Sequence, residues 1–441
     1  MSSRPVVALA LAATLVVAGC AAPRATPGRP DPAFDRLGWE GGYWYDEPLA
    51  VTREDGLNET ELQAVVARTR ARVERIRELE YTDPVSVEVI SRAEFRNRDR
   101  DRGRNRPAAY HAWRNQVWEA LLLVGEDRNV SAAFESTYGS SVVGFYTGDR
   151  GIVLISDGDS STIDRATLVH ELVHALQDQH FGFGGRRRTI DGRLARDALT
   201  EGEANYVPDR YAARCERTWD CLPRPNRTAD SGRADVDQGV FLTIFAPYAA
   251  GPGFVRAARE RGGWPAVDAL YDRFPASTEQ VIHPETYPNE APANVTVRDR
   301  SSGEWSRFDL DRPASDTAGE AAIYAMLRTN GALGNGSRYN YSHPASAGWG
   351  GDAVVPYRNG SGGYGYVWKL VWDTEADARE FADAYRGILQ RRADREPAEG
   401  VYVLPASDPF GDAFRVRRTG DTVRIVNGPT VSALAKIGGK G

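Results

Sequence analysis

TLVHELVHALQDQHF, residues 167 to 181, decides how the rest of this chain is read. Leu168, Leu172, Val173 and Leu176 recur at helical spacing and no Pro or Gly interrupts them, so Ile163 to Phe181 is predicted as a helix with one buried side. On that helix His170 and His174, four residues apart, return to the same face about 6 Å along the axis. Two imidazoles so placed converge on one metal ion. Glu171 lies about 100° round from His170, where its carboxylate takes the proton of a water on the metal rather than binding the metal itself. The chain holds only six histidines. HExxH on an uninterrupted amphipathic helix is the pattern of a zinc-dependent peptidase with Glu171 as general base.

A catalytic zinc site needs a third protein ligand and an open position. ALTEGEANYVPDRY, residues 198 to 211, falls on a second predicted helix, Asp197 to Cys215, and offers Glu201 and Glu203. Glu201 is favoured because Glu-Gly-X-Ala resembles the third-ligand helix of several zinc peptidases, with Gly202 letting two helices approach; Glu203 is the alternative, or an outer partner. Asp178, one turn beyond His174, either orients a ligand from outside or balances charge at the helix end. His180, six residues after His174, faces elsewhere. His283, in STEQVIHPETY, and Tyr206, five residues past Glu201, are candidates to donate a hydrogen bond to the oxyanion.

At the N-terminus Arg4 precedes an apolar run, Val6 to Ala18, that ends in Val17-Ala18-Gly19-Cys20. This reads as a cleaved lipoprotein signal with a lipobox: residues 1–20 are the signal peptide, Cys20 the lipidated residue and 21–36 a Pro-rich tether. No other segment is expected to cross a bilayer. Cys215 and Cys221 then remain as an even pair in an exported chain, expected to form a small-loop disulfide. The balance is acidic, with a net charge of −6, and only Lys369, Lys436 and Lys440 are lysines among 55 basic residues. The Arg-rich stretch 96–106 alternates with Asp and Asn, which argues for a solvated loop and against nucleic-acid binding.

Periodicity further predicts a helix from Glu59 to Glu80, a strand in PVSVEVI, a helix from Ala108 to Val124 and a hairpin about residues 147–151, just before the HExxH helix. Three helices are expected between Val240 and Phe274, each opened or closed by Gly or Pro. Beyond Val295 the pattern predicts a helix over 314–328, a break over 331–351, a strand over 364–372, a helix over 375–391 and two short strands. The fold class is α+β.

Seven segments, LGWEGGYWYDE, DPVSVEVISRAEFR, FESTYGSSVVGFY, TLVHELVHALQDQHF, EGEANYV, STEQVIHPETY and GWGGD, resemble a family of haloarchaeal cell-surface lipoproteins with a zincin-like, gluzincin-type metallopeptidase core. That resemblance implies a metallopeptidase domain over 37–311, mainly helical with a small sheet, and a smaller α+β domain over 312–441. It implies Zn2+ as cofactor, Glu201 as third ligand, Glu171 as general base, a peptide or protein substrate, and a lipid anchor on the outer face of the cell membrane. The expected reaction is zinc-dependent peptide hydrolysis. A surface-anchored zinc protein with little peptidase activity is the alternative, and a hydrolase for another envelope bond is a third reading.

Overall fold

The computed structural model describes residues 31–49, 51, 56–99, 106–149, 151–156, 163–222 and 236–439. Cys20, the signal segment and the tether up to residue 30 lie outside these. A short hairpin, β1 (Trp39–Glu40) and β2 (Tyr43–Trp44), packs on α1 (Glu59–Arg77), which Asn58 and Glu61 open with a reciprocal capping box. The inner face of α1 is lined by arginines. Arg72, fully buried, donates to the Tyr45 and Asp220 carbonyls and to the Tyr211 hydroxyl. Three planar donors on one rigid fork satisfy several buried acceptors at once, which a lysine cannot do.

β3 (Val87–Ser91) leads through α2 (Arg92–Asp99), α3 (Ala108–Ala120) and α4 (Val130–Ser141) to the hairpin β4 (Gly144–Thr147) and β5 (Gly151–Ser156). The turn is where the glycines predict it: Gly151 has φ +75°, and a Cβ there would lie 2.4 Å from the Ser86 carbonyl oxygen. β3 pairs parallel with β5, and β4 pairs antiparallel with it, giving the order β3-β5-β4. The two edges of this sheet are therefore β3 and β4, and β5 is flanked on both sides.

α5 (Arg165–His180) begins at Asp164, whose side chain accepts from the Thr167 N–H, and buries Leu168, Leu172, Val173 and Leu176 as its pattern demands. α6 (Ile190–Cys215) starts earlier than predicted because Thr189 caps it. α7 (Gln238–Asp272) runs through Pro247 and Pro252 and breaks only at Gly262–Gly263, where Gly263 takes φ +70°. By length and composition α7 can cross a membrane, contrary to expectation, yet Phe254, Val255 and Val267 are buried in the core around α5 and α6. α8 (Thr278–Ile282) follows. Cys215 and Cys221 are joined by a disulfide at the end of α6.

The remaining chain is built on one antiparallel sheet of seven strands, order β6-β7-β8-β12-β11-β10-β9: β6 (Trp305–Arg307), β7 (Trp349–Asn359), β8 (Tyr364–Trp372), β9 (Arg395–Ala398), β10 (Val401–Val403), β11 (Ala413–Thr419) and β12 (Thr422–Gly428). α9 (Gly319–Thr329) and α10 (Glu375–Arg392) join α3 over one face, against Val354, Trp368 and Ile425. α11 (Val431–Gly438) covers the other, against Val355, Val367 and Val426. Those adjacent residues fall on opposite faces because side chains alternate along a strand. The sheet already includes β6, upstream of residue 312, and recruits α3 from far earlier in the chain. Asp352 of the GWGGD segment is a capping residue: it accepts from the Ala318 and Gly319 N–H groups at the start of α9 and from the Trp349 and Trp368 indoles.

Where α6, α8 and α9 meet, Asp191 is buried and accepts from the Thr278 N–H at 2.8 Å and its hydroxyl at 2.6 Å. Burial, against these hydrogen bonds, pushes its carboxyl from 3.8 up to about 7. A carboxyl raised on folding binds protons better in the native than in the unfolded state, so its contribution to stability is full below pH 3.8 and is lost as pH rises towards 7. Asp191→Asn keeps the acceptor and removes the titration. In chelator, its stability relative to wild type is expected to rise between pH 4 and 8, by at most about 4 kcal/mol, in denaturant unfolding. A difference independent of pH would contradict this.

Candidate metal centre

α5 and α6 bring three of the expected residues together. His170 Nε2 and His174 Nε2 are 3.1 Å apart, and Glu201 Oε2 lies 3.2 Å from the first and 3.4 Å from the second. Four ligand atoms held tetrahedrally at 2.0–2.1 Å from one zinc ion stand about 3.3 Å from each other, so the triangle has the right size for a single ion. Glu201 Oε2 is also buried, with no hydrogen bond apart from its contacts with the two imidazoles. A carboxylate oxygen left so, facing two imidazole nitrogens, fits a cation-binding role.

The back of the site fixes the orientation of the His174 ring. His174 Nδ1 lies 2.8 Å from Gln177 Oε1; the amide oxygen only accepts, so Nδ1 carries a proton and Nε2 is the nitrogen that presents a lone pair once the ring is neutral. Gln177 Nε2 in turn donates to the Thr200 carbonyl at 2.9 Å and reaches Glu203 Oε2 at 3.4 Å. Glu203 is fully buried and committed to Arg77 of α1 and the Tyr271 hydroxyl of α7. The alternative of Glu203 as third ligand is thereby excluded, and it stands behind the ligand instead. Gln177 was not read from the sequence, although a polar residue three after a ligand histidine, on the buried side of a helix, was visible there. Gln177→Leu is expected to weaken metal affinity about 10- to 100-fold, measured by chelator competition, with Gln177→Glu recovering most of it. Unchanged affinity in the Leu variant would count against the relay.

Glu171 is buried at 5 % exposure and receives a hydrogen bond from the Tyr146 backbone N–H of β4. Burial raises its pKa, against the pull of His174 and His170. For His174, burial opposes protonation, but Glu201 and Glu171 outweigh it and lift the imidazole to about 9. Glu201 shows the converse: burial notwithstanding, the imidazoles hold it well below the usual carboxylate range. Protons therefore compete with a metal ion for these donors.

Asp178 does not orient a ligand. It accepts from the Tyr146 hydroxyl at 3.0 Å, pinning β4 over α5, and this bond together with burial takes the phenol to about 12. His180 contacts the Glu80 carbonyl. The two oxyanion candidates lie elsewhere. Tyr206 is buried edge-on against Trp264 and accepts from Arg210, because five residues past Glu201 is about 140° off its face. His283 sits at the end of α8 against buried Glu320 of α9, at 3.1 Å. Neither lines the cleft.

That cleft, about 960 Å³, runs between β4 and α7 and opens on His170, Glu171, His174 and Glu201. Ile155 N–H donates to the Val143 carbonyl, so by the alternation of an antiparallel ladder Gly144 and Tyr146 turn their peptide groups outward from the sheet. A smaller recess of about 190 Å³ shares Tyr146, His174 and Glu201 and continues to Phe183, Arg196 and Thr200.

Residues 306–438 match a family described as Domain of unknown function (DUF8575). This span holds α9 and most of the seven-stranded sheet, and none of the three converging residues. No curated protein and no solved structure matches the chain.

Proposed function

We propose that the chain is a zinc-dependent peptidase of zincin-like, gluzincin type, held at the outer face of the membrane by a lipid on Cys20 and related to the haloarchaeal surface lipoproteins it resembles. The observation that carries the reading is the 3.1, 3.2 and 3.4 Å triangle of His170, His174 and Glu201, with the Glu171 carboxylate beside it in an open cleft. The disulfide supports export, since such bonds persist in oxidising compartments.

Zn2+ bound by His170, His174 and Glu201 supplies Lewis acidity towards water and a substrate carbonyl. The protein's own groups do the rest. Glu171, fixed by the Tyr146 N–H, accepts the proton of the attacking water and returns it to the leaving amine. With the Tyr146 N–H held by Glu171, Gly144 and the Tyr146 carbonyl offer the β4 edge to an extended peptide as an added strand; β5, internal to its sheet, is not available for this.

The experiment is metal analysis of the soluble chain and of Glu201→Gln, with cleavage of a mixed peptide library read by mass spectrometry. Peptide cleavage that is abolished by chelation and restored by zinc supports the proposal, with the ion missing from Glu201→Gln. Stoichiometric zinc without cleavage of any peptide would make the chain a zinc-binding surface protein. Cleavage of glycan or ester substrates alone would place it among other hydrolases.

A further inference from the structure

The wall of the cleft opposite β4 is a row of rings. Phe241, Phe245 and Tyr248 occupy positions i, i+4 and i+7 of α7, one face of the helix. Phe241 and Phe245 lie 5.2 Å apart with planes at 16°, Phe245 and Tyr248 5.9 Å apart at 13°, and Tyr248 and the His170 imidazole 6.5 Å apart at 13°. Parallel rings at such centroid distances are displaced sideways, so they tile a surface that ends on a candidate metal ligand. Tyr339, 40 % exposed, extends it beside Phe245, and Tyr248 is 39 % exposed. Aromatic groups exposed side by side, rather than singly, mark a binding surface. No Lys or Arg lines the cleft among the described residues, whereas Asp164 and Asp209 do.

The steps along the row, 5.2, 5.9 and 6.5 Å, approach towards His170 the roughly 6.6 Å that separates alternate side chains on one face of an extended strand. We propose that this row is the specificity wall of the site: it takes extended segments carrying large apolar side chains at alternate positions, and the acidic lining discriminates against acidic ones. Segments of that pattern are buried in folded proteins, so the substrate class is the unfolded or damaged chain. This rests on the peptidase reading above, yet recognition is separable from cleavage.

Two measurements test it, both on the zinc-loaded full chain. Blocked decapeptides with Phe at alternate positions are compared with the same peptides carrying Ser, for cleavage by wild type and for binding to Glu171→Gln. Reduced, alkylated lysozyme is compared with the folded form. The Phe peptides are expected to bind and be cleaved at least about tenfold better, and only the unfolded lysozyme to be degraded. Phe245→Gln is expected to erase the preference and Phe245→Leu to keep it, with melting temperature and zinc content checked for each. Equal binding of the Phe and Ser peptides, or a preference that survives in folded, zinc-loaded Phe245→Gln, overturns the wall. If the preference holds in binding while nothing is cleaved, the peptidase reading fails and the recognition surface stands.

Discussion

On the peptidase reading, Glu171→Gln is expected to retain zinc and to lose peptide turnover by about a hundred- to ten-thousand-fold, the range a single general base supplies. The amide is nearly isosteric and can still contact the Tyr146 peptide group, so the fold and the triangle of donors are undisturbed. What it cannot do is accept a proton. Two buried carboxylates lie within two residues of a candidate ligand without being one of the three; Glu203 is committed to Arg77 and Tyr271, and Glu171 alone of the two lines the cleft. The loss should appear in kcat rather than KM, because the interaction is made with the reacting water and not with bound peptide. Equal zinc content and equal turnover in wild type and variant would remove Glu171 from the mechanism.

The second large effect concerns α6 against α7. A Cβ at Gly202 would lie 2.5 Å from the Gly251 carbonyl carbon, and one at Gly251 only 2.2 Å from the Ala198 carbonyl oxygen. Both obstacles are backbone, so a methyl group can enter only if the helices separate. Gly251→Ala is expected to cost about 3 kcal/mol, and to weaken metal binding as well, since Glu201 precedes Gly202 and Tyr248 lies one turn before Gly251. Gly253→Ala is the control: nothing lies within 4 Å of its Cβ, and the exchange should be neutral or slightly stabilising. Denaturant midpoints and chelator competition on both variants decide the matter. Equal stability would mean that the helices adjust more readily than their contact distances suggest.

The donor triangle was legible because its geometry is local twice over. His170 and His174 are fixed by one helix, and Glu201 follows from a second helix whose Gly202 announces a close neighbour. The hairpin of β4 and β5 was legible too, because a tight turn with glycine is written in adjacent residues. Strand order was not. β5 becomes internal only because β3, some sixty residues upstream, pairs with it in parallel, and nothing within residues 144–156 records that partner. β7 escaped notice because Gly350 and Gly351 fell at the end of the stretch 331–351 read as a break. Pro356 is tolerated where it lies just beyond the three β7 residues that β6 covers, so its missing N–H costs no ladder bond there. Pro252 of α7 misled in the same way: like Pro247 it sits inside a helix whose neighbours hold it, and the break comes at a glycine pair. His283 and Tyr206 were judged by residue type alone, and only the folded chain reveals Glu320 and Arg210 as their partners.

Arg77 gives the site an ancestry wider than its motif. It leaves α1, passes over the Trp264 ring at 4.3 Å, and pairs with Glu203 and with Asp268 of α7. The support behind His174 thus draws on segments nearly two hundred residues apart. A minimal peptide carrying only the two motif helices would leave Glu203 without Arg77 and Tyr271, and grafting those helices onto a foreign scaffold would inherit the histidines without their foundation.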